Sequence, residues 1–440
     1  MRRRTMLGAA GLVASLPGVV GAAGRATAAG RGGGRELRAI DATVIAEVRP
    51  EGYKVTGLAV EYDGVVDLGR GGVATSAFEV TVTLTRPGAE PRTGNRTVVR
   101  AYPNDAAEFA GRQRPGRYVV LELDPDDPLA PGAYNETFTR FYDLAGAYEV
   151  RQVEDIADRI PARPDVPVVN SGVRNRLVDD YAAATFDAAS GVAVDYRLFT
   201  PRARPGRRYP LVVTLHGHGE SGDDNFAQIA GNQISVAFAD PARQARHPAF
   251  VLSPQAPQGT PGTGGWWRPD VRAGVLELVR ATLARNPAID PGRVYLTGLS
   301  MGSYGSWALL PEHHDLFAAA VLVCGAGDEA AAVESLGAFP IWALHSADDA
   351  VVPYDAPGSD YRIFRALEAA GRPTTWSEWA GTAPDRVQEA AAADARGRAE
   401  AAGSRHVFTT FPAGTTPLFS HASWIPTYTN DTVIDWLFAQ

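Results

Sequence analysis

The sequence predicts two domains in series, a small all-β sandwich followed by a mostly parallel β-sheet covered by helices on both faces. Three observations lead to this fold class. The chain has 440 residues, which is enough for two or three domains. Residues 36–165 contain short runs of alternating apolar and polar residues separated by turns. From residue 166 to 440, strand-like runs alternate with helical ones, a pattern typical of βαβ units.

The first 28 residues have the pattern of an export signal. Arg2, Arg3 and Arg4 precede an apolar stretch of small residues, and Ala26-Thr27-Ala28 supplies a small-x-small cleavage motif. The paired arginines before Thr5 favour the twin-arginine route, and a general secretory signal is the alternative. Either route places the mature protein in the periplasm or outside the cell. Residues 29–35 then form a linker rich in Gly and Arg.

Composition excludes several classes of protein. The chain carries a net charge of −8, and removal of residues 1–28 would make it more acidic, so a general phosphate-backbone or nucleic-acid binder is not expected. Cys324 is the sole cysteine, which excludes an internal disulfide and a Cys-rich zinc site. No later stretch has about 18 uninterrupted apolar residues, so no membrane span is predicted. We expect no metal and no cofactor.

The β-type runs of the first domain show period-2 alternation and no long amphipathic helix, which favours a small antiparallel sandwich. The predicted strands are Tyr53–Tyr62, Ala77–Leu84, Arg96–Tyr102 and Tyr118–Leu123. A stretch rich in proline, 161–167, then indicates a linker between the domains.

The second domain alternates predicted strands with predicted helices. The strands are Leu211–Leu215, Phe250–Ser253, Val294–Thr297, Ala318–Val323 and Ile341–Leu344, and the helices are Val271–Arg285, a segment after Met301, Asp360–Ala370 and Asp431–Phe438. Pro384–Ser404, rich in Ala, Arg and acids, looks like an inserted helix facing solvent. In such sheets ligands bind at the carboxyl ends of the strands.

The strongest local motif is Gly298-Leu299-Ser300-Met301-Gly302, between a strand-like run and a helix. A serine on a sharp strand-to-helix turn is exposed and strained, and glycines are needed beside it because side chains there would collide with backbone. A tight structural turn is the alternative. Ser300 is therefore the candidate nucleophile, which needs a base and an acid to become reactive.

The expected chain order of serine, acid, histidine limits the choice of partners. The loop after Ile341–Leu344 offers two adjacent acids, Asp348 and Asp349, only one of which can serve. His421, in the loop before the last helices, is the candidate base, with His406 in a strand-like run as the alternative. Chain order excludes three histidines as the base because they precede the serine: His216, His218 and His247. His313 and His314 precede any plausible acid and are expected on the surface, and His345 is expected to be structural.

Acyl transfer also needs hydrogen-bond donors for the developing oxyanion. The backbone N–H of Met301, which follows the nucleophile, is one candidate. The backbone N–H of His218, in the glycine-rich loop after Leu211–Leu215, is the other. Trp266, Trp267 and Trp424 are candidates for lining a substrate pocket, although the first two could instead cover the edge of the core.

Taken together, these motifs resemble the α/β-hydrolase fold, and in particular secreted esterases and predicted peptidases related to polyhydroxybutyrate depolymerases and phospholipase/carboxylesterases. The matching text comprises Tyr209–Glu220, Gly222–Asn225, Ser253–Gln255, Gly298–Gly302, Asp349–Pro353 and His421–Trp424. In that family the triad acid is the aspartate that begins a D-x-V-V-P run. The resemblance therefore favours Asp349 over Asp348 as the triad acid. The β-rich segment 36–165 resembles the immunoglobulin-like domain that precedes some of these esterases.

The resemblance implies a secreted serine hydrolase that cleaves small or polymeric carboxylic esters through an acyl-enzyme, without metal or cofactor. Ser300, His421 and Asp349 would form the catalytic triad. A prolyl oligopeptidase-like peptidase and a polymer- or glycan-binding protein with a secondary hydrolase domain are the alternatives. The immunoglobulin-like domain could also mediate a homo-oligomer.

Overall fold

The computed structural model describes residues 35–202 and 204–440. The predicted export signal (1–28) and the predicted linker (29–35) up to residue 34 lie outside the described residues. Leu37–Gln440 forms one compact unit, within which an N-terminal β domain packs against a larger α/β domain.

The N-terminal domain is built from β-strands. Alternate residues are buried in Phe78–Leu84, as the period-2 pattern predicts, whereas Val55–Val60 are all buried. Its strands are β1 (Ala39–Arg49), β2 (Gly52–Val66), β3 (Phe78–Leu84), β4 (Arg92–Arg96), β5 (Val98–Asn104), β6 (Gly116–Leu123), β7 (Ala133–Asn135), β8 (Thr139–Phe141), β9 (Tyr148–Gln152) and β10 (Val168–Asn175). β7 and β8 form a separate two-stranded hairpin.

The other strands follow the order β4-β3-β9-β10-β1-β2-β6-β5. β10 pairs with β9 at its start and with β1 from Asn170 onward, so it links the two halves of this sheet. Side chains from both halves, such as Val82 and Leu121, share one hydrophobic core, which makes the domain a sandwich.

Two details of the sequence prediction are wrong for this domain. The sandwich is not wholly antiparallel, because β10 runs parallel to β1. The sheet also extends past the boundary drawn at residue 165. The prolines at 161–167 lie in the connection between β9 and β10 and not between the domains. They fall outside both strands because proline has no N–H to donate to a strand ladder.

The second domain contains a larger sheet with the order β11-β12-β14-β13-β15-β16-β17-β19-β18. Its strands are β11 (Tyr181–Asp187), β12 (Ala193–Phe199), β13 (Tyr209–Leu215), β14 (Phe250–Pro254), β15 (Ile289–Leu299), β16 (Ala319–Val323), β17 (Ile341–Ser346), β18 (Thr374–Glu378) and β19 (His406–Phe411). β12 is antiparallel to both of its neighbours, and all strands from β14 to β18 in this order are parallel. Both faces are buried, as near-continuous apolar strands require.

Helices cover both faces of this sheet, which confirms the predicted layer architecture. They are α1 (Ala227–Ala230), α2 (Val236–Ala239), α3 (Pro241–Arg246), α4 (Pro269–Arg285), α5 (Met301–His313), α6 (Glu329–Ser335), α7 (Asp360–Ala369), α8 (Asp385–Ala402), α9 (Trp424–Tyr428) and α10 (Asp431–Phe438). None of the helices in 35–202 and 204–440 is both long enough and apolar enough to cross a bilayer.

Helix α8 corrects the interpretation of Pro384–Ser404 as an insertion facing solvent. It is the crossover between the parallel strands β18 and β19, and it buries Gln388, Ala392, Ala395 and Ala399. A crossover of this kind is what joins parallel neighbours in a sheet.

Candidate active site

Ser300 lies between the end of β15 and the start of α5, on the turn that the sequence predicts. Its backbone has φ 51° and ψ −121°, a conformation that residues other than glycine rarely adopt. Its N–H donates to the Val323 carbonyl at 2.9 Å, which ties the turn to the next strand of the sheet. Strain of this kind is held by the surrounding structure and is common at functional sites.

The two glycines of the motif allow close packing around this turn. A Cβ on Gly298 would lie 2.3 Å from the Gly302 carbonyl oxygen, and a Cβ on Gly302 would lie 1.9 Å from the Leu215 carbonyl oxygen. Both contacts are far shorter than van der Waals distances. Glycine is therefore needed where α5 crosses the end of β13.

Ser300, His421 and Asp349 form a continuous hydrogen-bonded chain. Ser300 Oγ lies 2.8 Å from His421 Nε2, and His421 Nδ1 lies 2.7 Å from Asp349 Oδ2. His421 and Asp349 are each 5% exposed, whereas Ser300 is half-buried. Ser300 and His421 border a space that a substrate could enter, whereas Asp349 does not.

The structure separates the two adjacent aspartates. Asp349 Oδ1 accepts hydrogen bonds from the N–H groups of Val351 and Val352 at 2.8 and 2.9 Å, which fixes the carboxylate toward His421. Asp348 instead accepts from Ser346 Oγ and from the Gly414 N–H. Burial raises the pKa of Asp349, but hydrogen bonds from His345 and His421 outweigh this effect and hold it well below its usual range.

The histidines that were set aside lie elsewhere or are engaged in other contacts. His406 Nε2 is 3.0 Å from the Leu336 carbonyl oxygen, and His247 Nε2 is 2.9 Å from Asp435 Oδ1. His216 accepts from the Ala256 N–H, and burial lowers its pKa to about 4, so it stays neutral. His313 and His314 follow one another at the end of α5. His345 Nε2 lies 3.3 Å from Asp349 Oδ2.

The loop after β13 approaches the serine closely. A Cβ on Gly217 would lie 2.9 Å from Leu299 Cδ1 and 3.7 Å from Ser300 Cβ, so the loop packs directly against the nucleophile turn. Within residues 35–202 and 204–440, the backbone N–H groups of His218 and Met301 donate to no other group. Both amides are thus available to an incoming oxygen atom.

A cleft of about 350 Å³ opens above Ser300 and is lined by both domains. The α/β domain contributes His218, Glu220, His421 and Trp424, among others. The N-terminal domain contributes the β1–β2 turn and the tip of the β7–β8 hairpin, which are the residues Pro50, Glu51, Gly52, Asn135, Glu136, Thr137, Phe138 and Thr139. Nothing in the sequence of the hairpin indicates this role, since it depends on how the domains pack.

An aromatic cluster holds the hairpin against the α/β domain. Phe141 of β8 lies 4.7 Å from Phe226 and 5.4 Å from Tyr53, with edge-to-face ring geometry in both pairs. At the hairpin tip, the ring of Phe138 lies 5.1 Å from that of His218. The N-terminal domain therefore contacts the loop that carries the His218 amide.

The three tryptophans proposed as pocket residues differ in position. Trp424 lines the cleft. Trp266 does not, and that prediction is wrong: its ring is fully buried and its Nε1 donates to the His216 carbonyl at 2.9 Å. Trp267 lies outside the cleft lining and packs on Tyr304, with ring centroids 5.5 Å apart.

One group of side chains in the described residues has ligand atoms close enough to hold a metal ion. Cys324, Asp349 and His421 offer atoms within 4.8 Å of one another. Asp349 and His421 are already hydrogen-bonded to each other, and burial together with Asp349 and Asp360 raises the pKa of the Cys324 thiol well above its usual value. A metal would have to break this hydrogen bond and deprotonate the thiol, so the donor set fits poorly.

The chain is similar to known esterases over nearly its whole length. A family model for the esterase immunoglobulin-like N-terminal domain matches residues 41–159. A solved structure, described as a thermostable esterase, is 31% identical, covers 91% of this chain and 99% of its own, and superposes with a TM-score of 0.74.

A curated relative adds a partial match. The poly(3-hydroxyalkanoate) depolymerase C of Paucimonas lemoignei is 30% identical over 124 residues, which are 26% of this chain and 28% of the relative. The chain thus spans under a third of that protein. Together with the topology, these similarities confirm an α/β-hydrolase domain preceded by an immunoglobulin-like sandwich.

Proposed function

Since the chain belongs to the esterases that carry an N-terminal immunoglobulin-like domain, and is thus a carboxylic ester hydrolase, we propose that it acts through an acyl-enzyme formed on Ser300. The observation that carries the proposal is the hydrogen-bonded chain from Ser300 Oγ through His421 to Asp349, in which Ser300 and His421 line the cleft and Asp349 lies behind them.

The first half of the reaction forms the acyl-enzyme. Ser300 Oγ attacks the ester carbonyl carbon while His421 Nε2, 2.8 Å away, accepts the hydroxyl proton. Asp349 keeps Nδ1 protonated and stabilises the resulting imidazolium. The proton on Nε2 then passes to the leaving alkoxide oxygen, and the alcohol departs.

The free amides of His218 and Met301 would bind the oxyanion of each tetrahedral intermediate. Loss of one such donor typically reduces kcat by about 100- to 1000-fold. In the second half, His421 removes a proton from a water molecule that attacks the acyl carbon. Collapse of this intermediate releases the acid and returns the proton to Ser300.

A fluorophosphonate probe tests the nucleophile directly. We expect a single adduct on Ser300, found by mass spectrometry, together with loss of p-nitrophenyl ester hydrolysis. Ser300→Ala should take no adduct and lose several orders of magnitude in kcat while keeping its melting temperature. Labelling elsewhere, or hydrolysis that survives the substitution, would refute the proposal.

We also propose that esters rather than peptides are the substrates, and that the mature enzyme is exported. The support for esters is the similarity to the thermostable esterase, and the support for export is the sequence of residues 1–28. Peptide anilides should be cleaved at least about 100-fold more slowly than the matching esters.

Replacing Arg3 and Arg4 by lysine should block export if the twin-arginine route is used, whereas unimpaired export would favour the general secretory route.

A further inference from the structure

A second histidine, His345, contacts the same oxygen of the triad acid that His421 contacts, Asp349 Oδ2. His345 lies near the end of β17 and its ring has no exposed surface. Its Nε2 is 2.9 Å from the Val352 carbonyl oxygen and 3.3 Å from Asp349 Oδ2. Its Nδ1 is 3.1 Å from Oδ2 of Asp360, at the start of α7. Both ring nitrogens therefore face oxygen atoms.

The oxygen atoms that face the ring are all placed as hydrogen-bond acceptors. The Val352 carbonyl has no proton to donate. Asp360 accepts hydrogen bonds from Trp307 Nε1 at Oδ1 and from the Gly325 N–H at Oδ2, both at 2.6 Å. Asp349 likewise accepts from two backbone N–H groups and from His421. Both carboxyl groups are thus arranged as ionised acceptors.

A neutral imidazole has one N–H and one lone pair, so in this site its lone pair would face the lone pairs of an oxygen. We propose that His345 is a buried imidazolium that bridges Asp349 and Asp360 and acts as a positioning residue for the triad acid. Burial of the charge is compensated because two carboxylates contact it on opposite sides.

The electrostatics of the site agree with this assignment. Burial lowers the pKa of His345, but the hydrogen bonds and charges of Asp349 and Asp360 outweigh that effect and raise it to about 9. The same contact contributes to the low pKa of Asp349.

The other titratable groups around the ring are neutral near pH 7. Tyr354 contacts His345 edge to face, with centroids 5.8 Å apart, and burial raises its pKa to about 12. Burial also raises the pKa of Tyr304 on α5 and of Cys324 at the end of β16. The charged groups that face His345 are therefore Asp349 and Asp360. His421 contacts Asp349 and does not itself face His345.

The bridge has a kinetic consequence that rests on the proposed function. Replacement of His345 by a neutral residue would remove a positive charge beside Asp349 and leave the charge of that carboxylate less compensated. The acid limb of kcat/KM should then move to higher pH.

Nitrogen-15 NMR of the full chain, labelled at histidine, tests the charge without any assay of activity. We expect the signal that disappears in His345→Gln to show two protonated ring nitrogens from pH 6 to pH 8. A neutral tautomer at pH 7 would overturn the proposal. Because this readout needs no catalysis, it stands even if Ser300 takes no fluorophosphonate adduct.

The kinetic test compares two buried histidines. In His345→Gln we expect the acid limb of kcat/KM to shift upward by about one pH unit, the effect of removing one nearby charge in a protein interior. In His406→Gln, whose ring contacts the Leu336 carbonyl instead, the limb should not move. An unshifted limb in folded His345→Gln would refute the positioning role, and if that variant does not fold the NMR result on the wild-type chain decides.

Discussion

The ring of Phe138 lies 5.1 Å from the imidazole ring of His218, so the hairpin of the N-terminal domain packs on the loop that carries a proposed oxyanion donor. The His218 ring is also held by a hydrogen-bond contact of 2.8 Å between its Nε2 and the Gly259 carbonyl. The backbone of this loop is thus fixed from both sides. A donor that is held in place before reaction is worth far more than a mobile one.

Truncation of Phe138 should therefore impair catalysis without unfolding the enzyme. We expect Phe138→Ala to lower kcat for p-nitrophenyl acetate by about tenfold, because the oxyanion loop loses its packing partner. Tyr134→Ala is the matched control, since Tyr134 lies on the same hairpin but packs on Tyr142, outside the cleft. Equal losses of kcat in both variants would show that the hairpin acts through stability alone.

The two adjacent aspartates give a second comparison. Asp349→Asn should reduce kcat by about 10⁴-fold, as loss of the acid does in triads generally, because His421 would no longer be held in the productive tautomer. Asp348→Asn should change kcat by less than about tenfold, since Asp348 accepts hydrogen bonds from Ser346 and Gly414 rather than from His421. Steady-state kinetics on one ester distinguishes the variants, and the reverse ranking would assign the acid to Asp348.

Sequence reasoning identified Ser300 as a candidate from its glycine motif at a strand end and His421 from the expected chain order, whereas the choice of Asp349 over Asp348 came from the family resemblance. It missed the hairpin residues such as Phe138, because their position beside Ser300 arises from packing between domains and leaves no local pattern. It also missed His345 as more than a structural residue, since only the distances to Asp349 and Asp360 reveal the bridge.

The errors in the fold have equally physical origins. Strand β18 reads Thr-Thr-Trp-Ser-Glu and lies at the edge of the sheet, so it lacks the apolar run that marks the central strands. Helix α8 buries alanines rather than large apolar side chains, so its charged residues dominate the pattern. Because the sequence does not predict β18, α8 has no preceding strand in the predicted order, and the pattern indicates an insertion instead of a crossover helix.

Gly302, two residues after the nucleophile, should be essential for folding. In Gly302→Ala the new Cβ would lie 1.9 Å from the Leu215 carbonyl oxygen, and backbone on both sides would have to move. We expect a loss of about 3 kcal/mol or more in the free energy of unfolding, measured by urea denaturation. Gly397→Ala is the control, because Gly397 is exposed within α8 and its Cβ would meet nothing within 4 Å. That change should stabilise the protein by up to about 1 kcal/mol, and a similar loss in both variants would contradict the steric argument.

The bridge formed by His345 also predicts how stability depends on pH. The folded-state pKa of about 9 lies above the unfolded value of 6.5, so the folded chain holds this proton more tightly. The resulting stabilisation is fully present below pH 6.5 and is lost as pH rises through 9. The free energy of unfolding should therefore fall by about 3 kcal/mol between pH 6.5 and 9.5 through this group, a shift of between two and three pKa units at 1.36 kcal/mol each.

Urea denaturation of the wild-type chain at several pH values measures this loss. His345→Gln should show a much flatter profile between pH 6.5 and 9.5, because no proton is released from the bridge. His406→Gln should keep the alkaline loss, since burial lowers the pKa of His406 and its effect falls on the acid side. A wild-type profile that is flat in this range, or one that persists unchanged in His345→Gln, would mean that the bridge carries no extra proton in the folded state.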